Sequence, residues 1–205
     1  MKITRLGIVR GGRISLHLDG EFVAALHPDA AHTLKEGGEL SDDTLSEILN
    51  QSGYLTAKAR ALSLLSRRSY SSEMLFRKLA EREDQDASRR AVERMAELGL
   101  IDDEDWARRF ANDLMRRKGM SASLAIRELC AKGIDRELAK EVVCEIEEDP
   151  RVAIAAIIKK KYASVMSDEK GKRRAYNGLL RLGYRHGDIG TVMRNILEDE
   201  NYYDE

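Results

Sequence analysis

The chain has 205 residues, enough for one or two ordinary domains with a real core. Its 42% hydrophobic and 35% charged residues, with only two prolines, fit helical and repeat proteins, and 5% aromatics argue against a large sandwich or barrel. A net charge of −1 supplies no whole-molecule field to draw in nucleic acid.

Cys130 and Cys144 are too few for a disulfide framework and lack metal-site spacing, so they read as buried free thiols. No secretory leader pattern and no apolar run approaching about 18 residues is present. The sequence predicts a cytosolic protein with no membrane contact.

Ile3, Arg5, Gly7 and Val9 interleave with apolar and polar neighbours until Gly11-Gly12 breaks the run. Arg13 to Leu18 alternates strictly, Asp19-Gly20 is a two-residue hairpin signal, and Glu21 to Leu26 makes a third strand. Such a three-stranded meander is marginal alone and must pack on something. Pro28 opens a short helix expected to reach Lys35, closed by Gly37-Gly38. Ser41 then has N-cap character, with Asp42 and Asp43 at the positive end of the helix dipole and Leu45, Ile48 and Leu49 as an apolar stripe.

From Thr56 onward the pattern is helical and repeats with a shift of 50 residues. Leu65, Met115 and Val165 coincide, as do Phe76, Ile126 and Tyr176, and Leu79, Leu129 and Leu179. Val92, Val142 and Val192 follow, then Ala96, Ile146 and Ile196. Apolar columns in register over three copies mark a repeat architecture. Each unit reads as three helices, at 56–67, 71–82 and 86–98, at 103–118, 121–132 and 136–147, and at 150–164, 168–182 and 186–198. Ser71 and Ser121 share a cap column, with Gly171 in the third copy. Gly133 and Gly183 follow the second helices, with Glu83 in the first copy. Asp149-Pro150 is a cap followed by proline at the first helical position.

The expected fold is therefore all-α, with three tandem three-helix repeats in an elongated, curved array behind a small N-terminal β-meander. The divisions are a meander with short helices over 1–55, repeats over 56–101, 102–148 and 149–198, and an acidic tail over 199–205.

No catalytic constellation appears. His17, His27, His32 and His186 have neither metal-site spacing nor a nucleophile partner, and no phosphate-cradling loop is present. Asp102-Asp103 precedes a helix, which favours capping over metal or acid–base chemistry. The sequence predicts no enzyme, no cofactor and no metal. Trp106 and Phe110, four apart, fit a core stripe better than a base-stacking platform. Tyr202-Tyr203 read as flexible tail.

Cations carry the stronger signal. Residues 150–194 hold eleven Lys/Arg against three acids. Arg67-Arg68, Arg77-Lys78, Arg116-Arg117-Lys118 and Lys159-Lys160-Lys161 recur at helix ends or on the following helix. The helix dipole alone accounts for part of this, yet recurrence implies a basic stripe suited to an acidic protein groove or a phosphate backbone. These ten residues are the candidate partner-binding set.

Ala61, Leu64, Leu65, Arg68, Ser69, Ser71, Met74, Leu75, Lys78 and Leu79, at their spacing, resemble the opening repeat of the RecX regulatory family. Leu98-Gly99-Leu100-Ile101-Asp102-Asp103 with Trp106-Ala107 is similar to that family's junction into its second repeat. Gly119 to Leu129, then Gly133-Ile134, continues the likeness, which spans about residues 56–198.

The resemblance implies a regulator that binds along the groove of the RecA–single-stranded DNA filament, and the chain is expected to be a monomer. It further implies suppression of RecA's ATP hydrolysis and strand exchange, with consequences for recombination, DNA repair and the SOS response. Family contacts carry over to Arg68, Lys78, Arg117 and Lys118, while Asp168 replaces the cation in the third copy. Direct binding of single- or double-stranded DNA through the basic third repeat stays open, as does a helical scaffold for another acidic partner.

Overall fold

The computed structural model describes residues 1–146, 148–166 and 168–203. Two compact units make up the chain, residues 1–102 and residues 103–205. Among the described residues there are ten α-helices and one three-stranded sheet, and no helix is long and apolar enough to cross a membrane.

In the first unit, β1 (Ile3–Ile8), β2 (Ile14–Leu18) and β3 (Glu21–Leu26) form an antiparallel meander in the order β1-β2-β3. Asp19 and Gly20 both take positive φ, 49° and 93°, which a two-residue hairpin turn requires. The inward residues Leu16, Leu18 and Leu26 bury with Ile3 against Ala31 of α1 (Pro28–Ala31) and against Leu45 and Ile48 of α2 (Asp42–Leu65). That helical support supplies what the hairpins lack alone.

Two expectations change here. α1 ends at Ala31 instead of reaching Lys35, because the following segment is recruited by the sheet edge. The Gly37 amide donates to the Ile3 carbonyl at 2.8 Å, and the Ile3 amide donates to the Gly38 carbonyl at 2.8 Å. α2 runs unbroken from Asp42 to Leu65, so the expected division between residues 55 and 56 falls inside a helix. Ser52 and Gly53, within this helix, serve close approach. The Ser52 hydroxyl accepts from the His27 amide at 2.8 Å, and a Cβ on Gly53 would touch Ala87 at 3.6 Å. The Ser41 hydroxyl caps α2 by accepting from the Thr44 amide.

The first repeat combines the second half of α2 with α3 (Ser72–Ala80) and α4 (Gln85–Glu97). Ala57, Ala61, Leu75, Leu79, Ala91 and Met95 form its fully buried centre. Glu83, at the glycine column, pairs with Arg60 at 3.2 Å.

The second unit contains two further three-helix groups. α5 (Asp103–Asn112) continues into a π-helical turn (Asp113–Arg117), followed by α6 (Ala122–Ala131) and α7 (Arg136–Ile146). α8 (Pro150–Lys161), α9 (Glu169–Arg181) and α10 (His186–Tyr203) complete the third. Leu79, Leu129 and Leu179 are all fully buried. Each removes an isobutyl group from water, worth about 1.5–3 kcal/mol.

Ser71 and Ser121 cap α3 and α6 through their hydroxyls. In the third copy the cap lies three residues earlier, where the Asp168 carboxylate accepts from the Gly171 amide. Asp149 caps α8, with Pro150 at its first position.

Other details also differ from expectation. Cys144 is exposed and Cys130 half-buried, because α7 turns Ala139, Val142 and Val143 inward and leaves Cys144 on its outer face. Ala96 is exposed, unlike Ile146 and Ile196 in the same column. α10 extends through Tyr203, so the tyrosines read as tail are helical, while residues 204 and 205 lie outside the described residues.

Candidate functional site: a basic cleft between the second and third repeats

The second and third repeats meet through backbone. The Ser121 amide, at the start of α6, donates to the Leu182 carbonyl, at the end of α9, at 2.8 Å. Two glycines with positive φ allow this closeness. A Cβ on Gly183 (φ +87°) would lie 2.5 Å from the Ser121 hydroxyl and 2.8 Å from Cβ of Leu124. A Cβ on Gly119 (φ +76°) would lie 3.1 Å from Cδ1 of Ile157 on α8. These helix-end glycines therefore serve both conformation and contact.

Beside this joint lies a cleft of about 540 Å3. Met115, Met120, Ala153, Ala156 and Ile157 contribute its apolar lining. Arg116, Arg117, Lys160, Lys161 and Arg185 bring five cations to it, against the carboxylates of Glu148 and Asp188.

Local structure explains the convergence. At the π-helical turn the Lys118 amide donates a hydrogen bond to the Asp113 carbonyl, five residues back, at 3.1 Å. This widened turn alters the azimuth of the residues that follow a regular α-helix. Lys159–Lys161 occupy the last turn of α8, where the helix dipole favours cations.

The ten sequence candidates separate into distinct environments. In the first unit, Arg67 and Arg68 are exposed beyond the end of α2, and the Arg68 guanidinium lies 4.3 Å from the centre of the Tyr70 ring. Arg77 pairs with Glu73 at 2.7 Å, and Lys78 with Glu81 at 2.8 Å. The Lys78 hydrogen bond holds the Glu81 carboxyl below its ordinary range.

In the second unit, Arg117 pairs with Asp113 at 2.7 Å, and Lys118 approaches the same carboxylate at 3.5 Å. Arg116, Lys159, Lys160, Lys161 and Arg185 form no ion pair among the described residues. The cleft thus unites Arg116, Arg117, Lys160 and Lys161, whereas Lys118 and Lys159 do not line it. Arg185 was not in the candidate set. Its signal was its place two residues after Gly183, at the repeat junction.

Aromatic groups in this unit are engaged elsewhere. Trp106 and Phe110 stack with ring centres 4.9 Å apart at the edge of the second repeat's core. Tyr184 is buried in the third core, and burial pushes its phenol pKa up. The Tyr176 hydroxyl lies 2.7 Å from Nδ1 of His186. Among the described residues, no group of three or more His, Cys, Asp or Glu is placed to hold a metal ion.

Residues 102–143, which contain α5, the π turn and α6, match the family model for RecX, second three-helix domain. Over almost its whole length the chain also aligns with curated relatives named regulatory protein RecX. That of Clostridioides difficile (strain 630) is 26% identical over 93% of this chain and 92% of its own. The chain is similar to RecX proteins along almost its whole length.

A second relative of the same name, from Clostridium tetani (strain Massachusetts / E88), is 25% identical over 96% of this chain and 94% of its own. Two solved RecX structures share the fold. A regulatory protein RecX crystal structure superposes with a TM-score of 0.65, at 17% identity, covering 95% of this chain and 98% of that one. RecX from Lactobacillus salivarius gives 0.59 at 18% identity, covering 70% and 96%.

Proposed function

We propose that this chain is a regulatory protein that binds the RecA–single-stranded DNA filament and lowers its ATP hydrolysis and strand exchange, acting by binding and without chemistry of its own. The observation that carries the reading is the basic cleft. Four of its five cations are ones the sequence singles out, and four of the five have no carboxylate partner among the described residues. Five cations against the two carboxylates Glu148 and Asp188 leave an excess of like charge in the cleft, and an acidic partner relieves that repulsion. The RecX relatives' shared description as regulatory proteins supports the same direction.

The test is RecA's DNA-dependent ATPase, measured with increasing amounts of the full chain. The rate is expected to fall at or below equimolar protein, while the chain alone hydrolyses no ATP. An unchanged rate over an excess of the chain rejects the reading.

A second reading, direct DNA binding, is favoured by Lys159, Lys160, Lys161 and Arg185 of the third repeat, which form no ion pair among the described residues. It predicts an affinity for single strands that falls with salt at a slope of about −0.7 per phosphate contacted. The two readings are compatible, and titrating DNA without RecA separates them.

A further inference from the structure

We infer that the cleft between the second and third repeats receives a peptide segment in which one or two apolar side chains are flanked by Asp or Glu. For the identity of the partner, a subunit of the filament, this rests on the function proposed above. The chemistry of the segment rests on the cleft itself.

The apolar lining comes first. Met115, Met120 and Ile157 face the cleft together with Ala156, which is exposed on α8. Unbranched methionines adapt to varied apolar partners, and a cleft of about 540 Å3 is in the range that encloses a few side chains (about 300–1,000 Å3). The charge comes second. Arg116, Lys160, Lys161 and Arg185 stand at the same cleft without ion pairs among the described residues. An apolar anchor fills the lining while neighbouring carboxylates meet the cations, so a single segment satisfies both features.

A nucleic-acid strand fits less well. A phosphate backbone uses the cations but leaves the half-buried methionines Met115 and Met120 without a partner. Bases gain most from exposed aromatic faces, yet Tyr184, the one aromatic lining residue, is buried in the third core. The cleft is also bounded by the Ser121–Leu182 joint, whereas strand binding favours an open track.

The experiment uses the full chain and three fluorescein-labelled probes read by anisotropy. One is a 12-residue peptide with two leucines among six glutamates. The second has serine in place of each leucine, and the third is a 15-nucleotide oligothymidylate. The leucine peptide is expected to bind about tenfold tighter than the serine peptide. Ala156→Glu, which places a carboxylate at an exposed helical position lining the cleft, is expected to weaken it about tenfold, and Lys160→Glu to do the same from the next turn of α8. Far-UV circular dichroism checks that both variants keep their helices.

Equal binding of the two peptides overturns the inference, as does unaltered binding by both variants. Stronger binding of oligothymidylate, with displacement of the leucine peptide, assigns the cleft to nucleic acid instead. The RecA ATPase assay is run separately. Failure of the wild-type chain there rejects the filament reading alone, because the peptide titration contains no RecA.

Discussion

Cβ-less Gly183 sits so close to Ser121 that an added methyl carbon would lie 2.5 Å from the serine hydroxyl. This contact, with the Ser121 amide bonded to the Leu182 carbonyl, closes the joint from which the basic cleft opens. Gly183→Ala therefore forces both a left-handed backbone onto a residue with Cβ and a separation of α6 from the end of α9. The steric and conformational costs together are expected to be about 2–4 kcal/mol. Gly99→Ala is the matched control, since Gly99 has φ +67° but open space around its Cα. It should lose only about 1–2 kcal/mol. Urea unfolding of the two variants measures the difference, and equal losses would refute the packing part of the argument.

Ser88, on α4, offers a change of the opposite sign. It is fully buried, and its hydroxyl has no hydrogen-bond partner among the described residues. Leaving a buried hydroxyl unsatisfied costs about 1–3 kcal/mol. Ser88→Ala keeps the small volume and raises helix propensity, so it is expected to leave stability unchanged or raise it by about 1 kcal/mol. A drop in the thermal midpoint would show that the hydroxyl has a partner after all.

Asp135 tests a cap through pH. Its carboxylate accepts from the Glu137 and Leu138 amides at the start of α7, and these bonds hold its pKa below the ordinary 3.8. A depressed folded-state pKa means the stabilisation is complete above the unfolded value and disappears as pH falls through the folded one. Asp135→Ala should therefore lower the thermal midpoint at neutral pH, with the gap to wild type narrowing below about pH 4. Asp135→Asn keeps a capping oxygen and should lie between them. A gap that is constant from pH 7 to pH 2 would contradict the cap.

Much of the fold was legible because fifty-residue periodicity places the same residue types in the same cores. Leu79, Leu129 and Leu179 are buried in three separate cores, and serines 71 and 121 cap as their column requires. Legibility failed where tertiary contact overrides a local signal. The division expected after residue 55 falls inside α2, where Ser52 and Gly53 are small because β3's end and α4 approach the helix. The cap of α9 moved to Asp168 because Gly171 is buried inside the helix. The cations were visible one by one. Their grouping was not, because the cleft joins residues from the end of the π turn, the last turn of α8 and the segment after Gly183. Only packing of two repeats brings those segments together.

That grouping yields the last prediction. Lys160 and Arg116 line the cleft without ion pairs among the described residues, whereas Lys78 is tied to Glu81 at 2.8 Å on its own helix end. A cation neutralised by a neighbour presents little field to a partner, and an unneutralised one presents more. Lys160→Glu and Arg116→Glu should each raise the concentration needed for half-inhibition of RecA's ATPase about tenfold, on the order of 1.4 kcal/mol. Lys78→Glu should raise it less than about threefold by the same reasoning. Added salt should shrink these differences, since the screening length falls from about 10 Å at 0.1 M to about 3 Å at 1 M. The assay is run with matched circular dichroism spectra at both ionic strengths. Equal losses for all three reversals would mean that the whole basic surface contributes evenly, and the cleft would lose its special place.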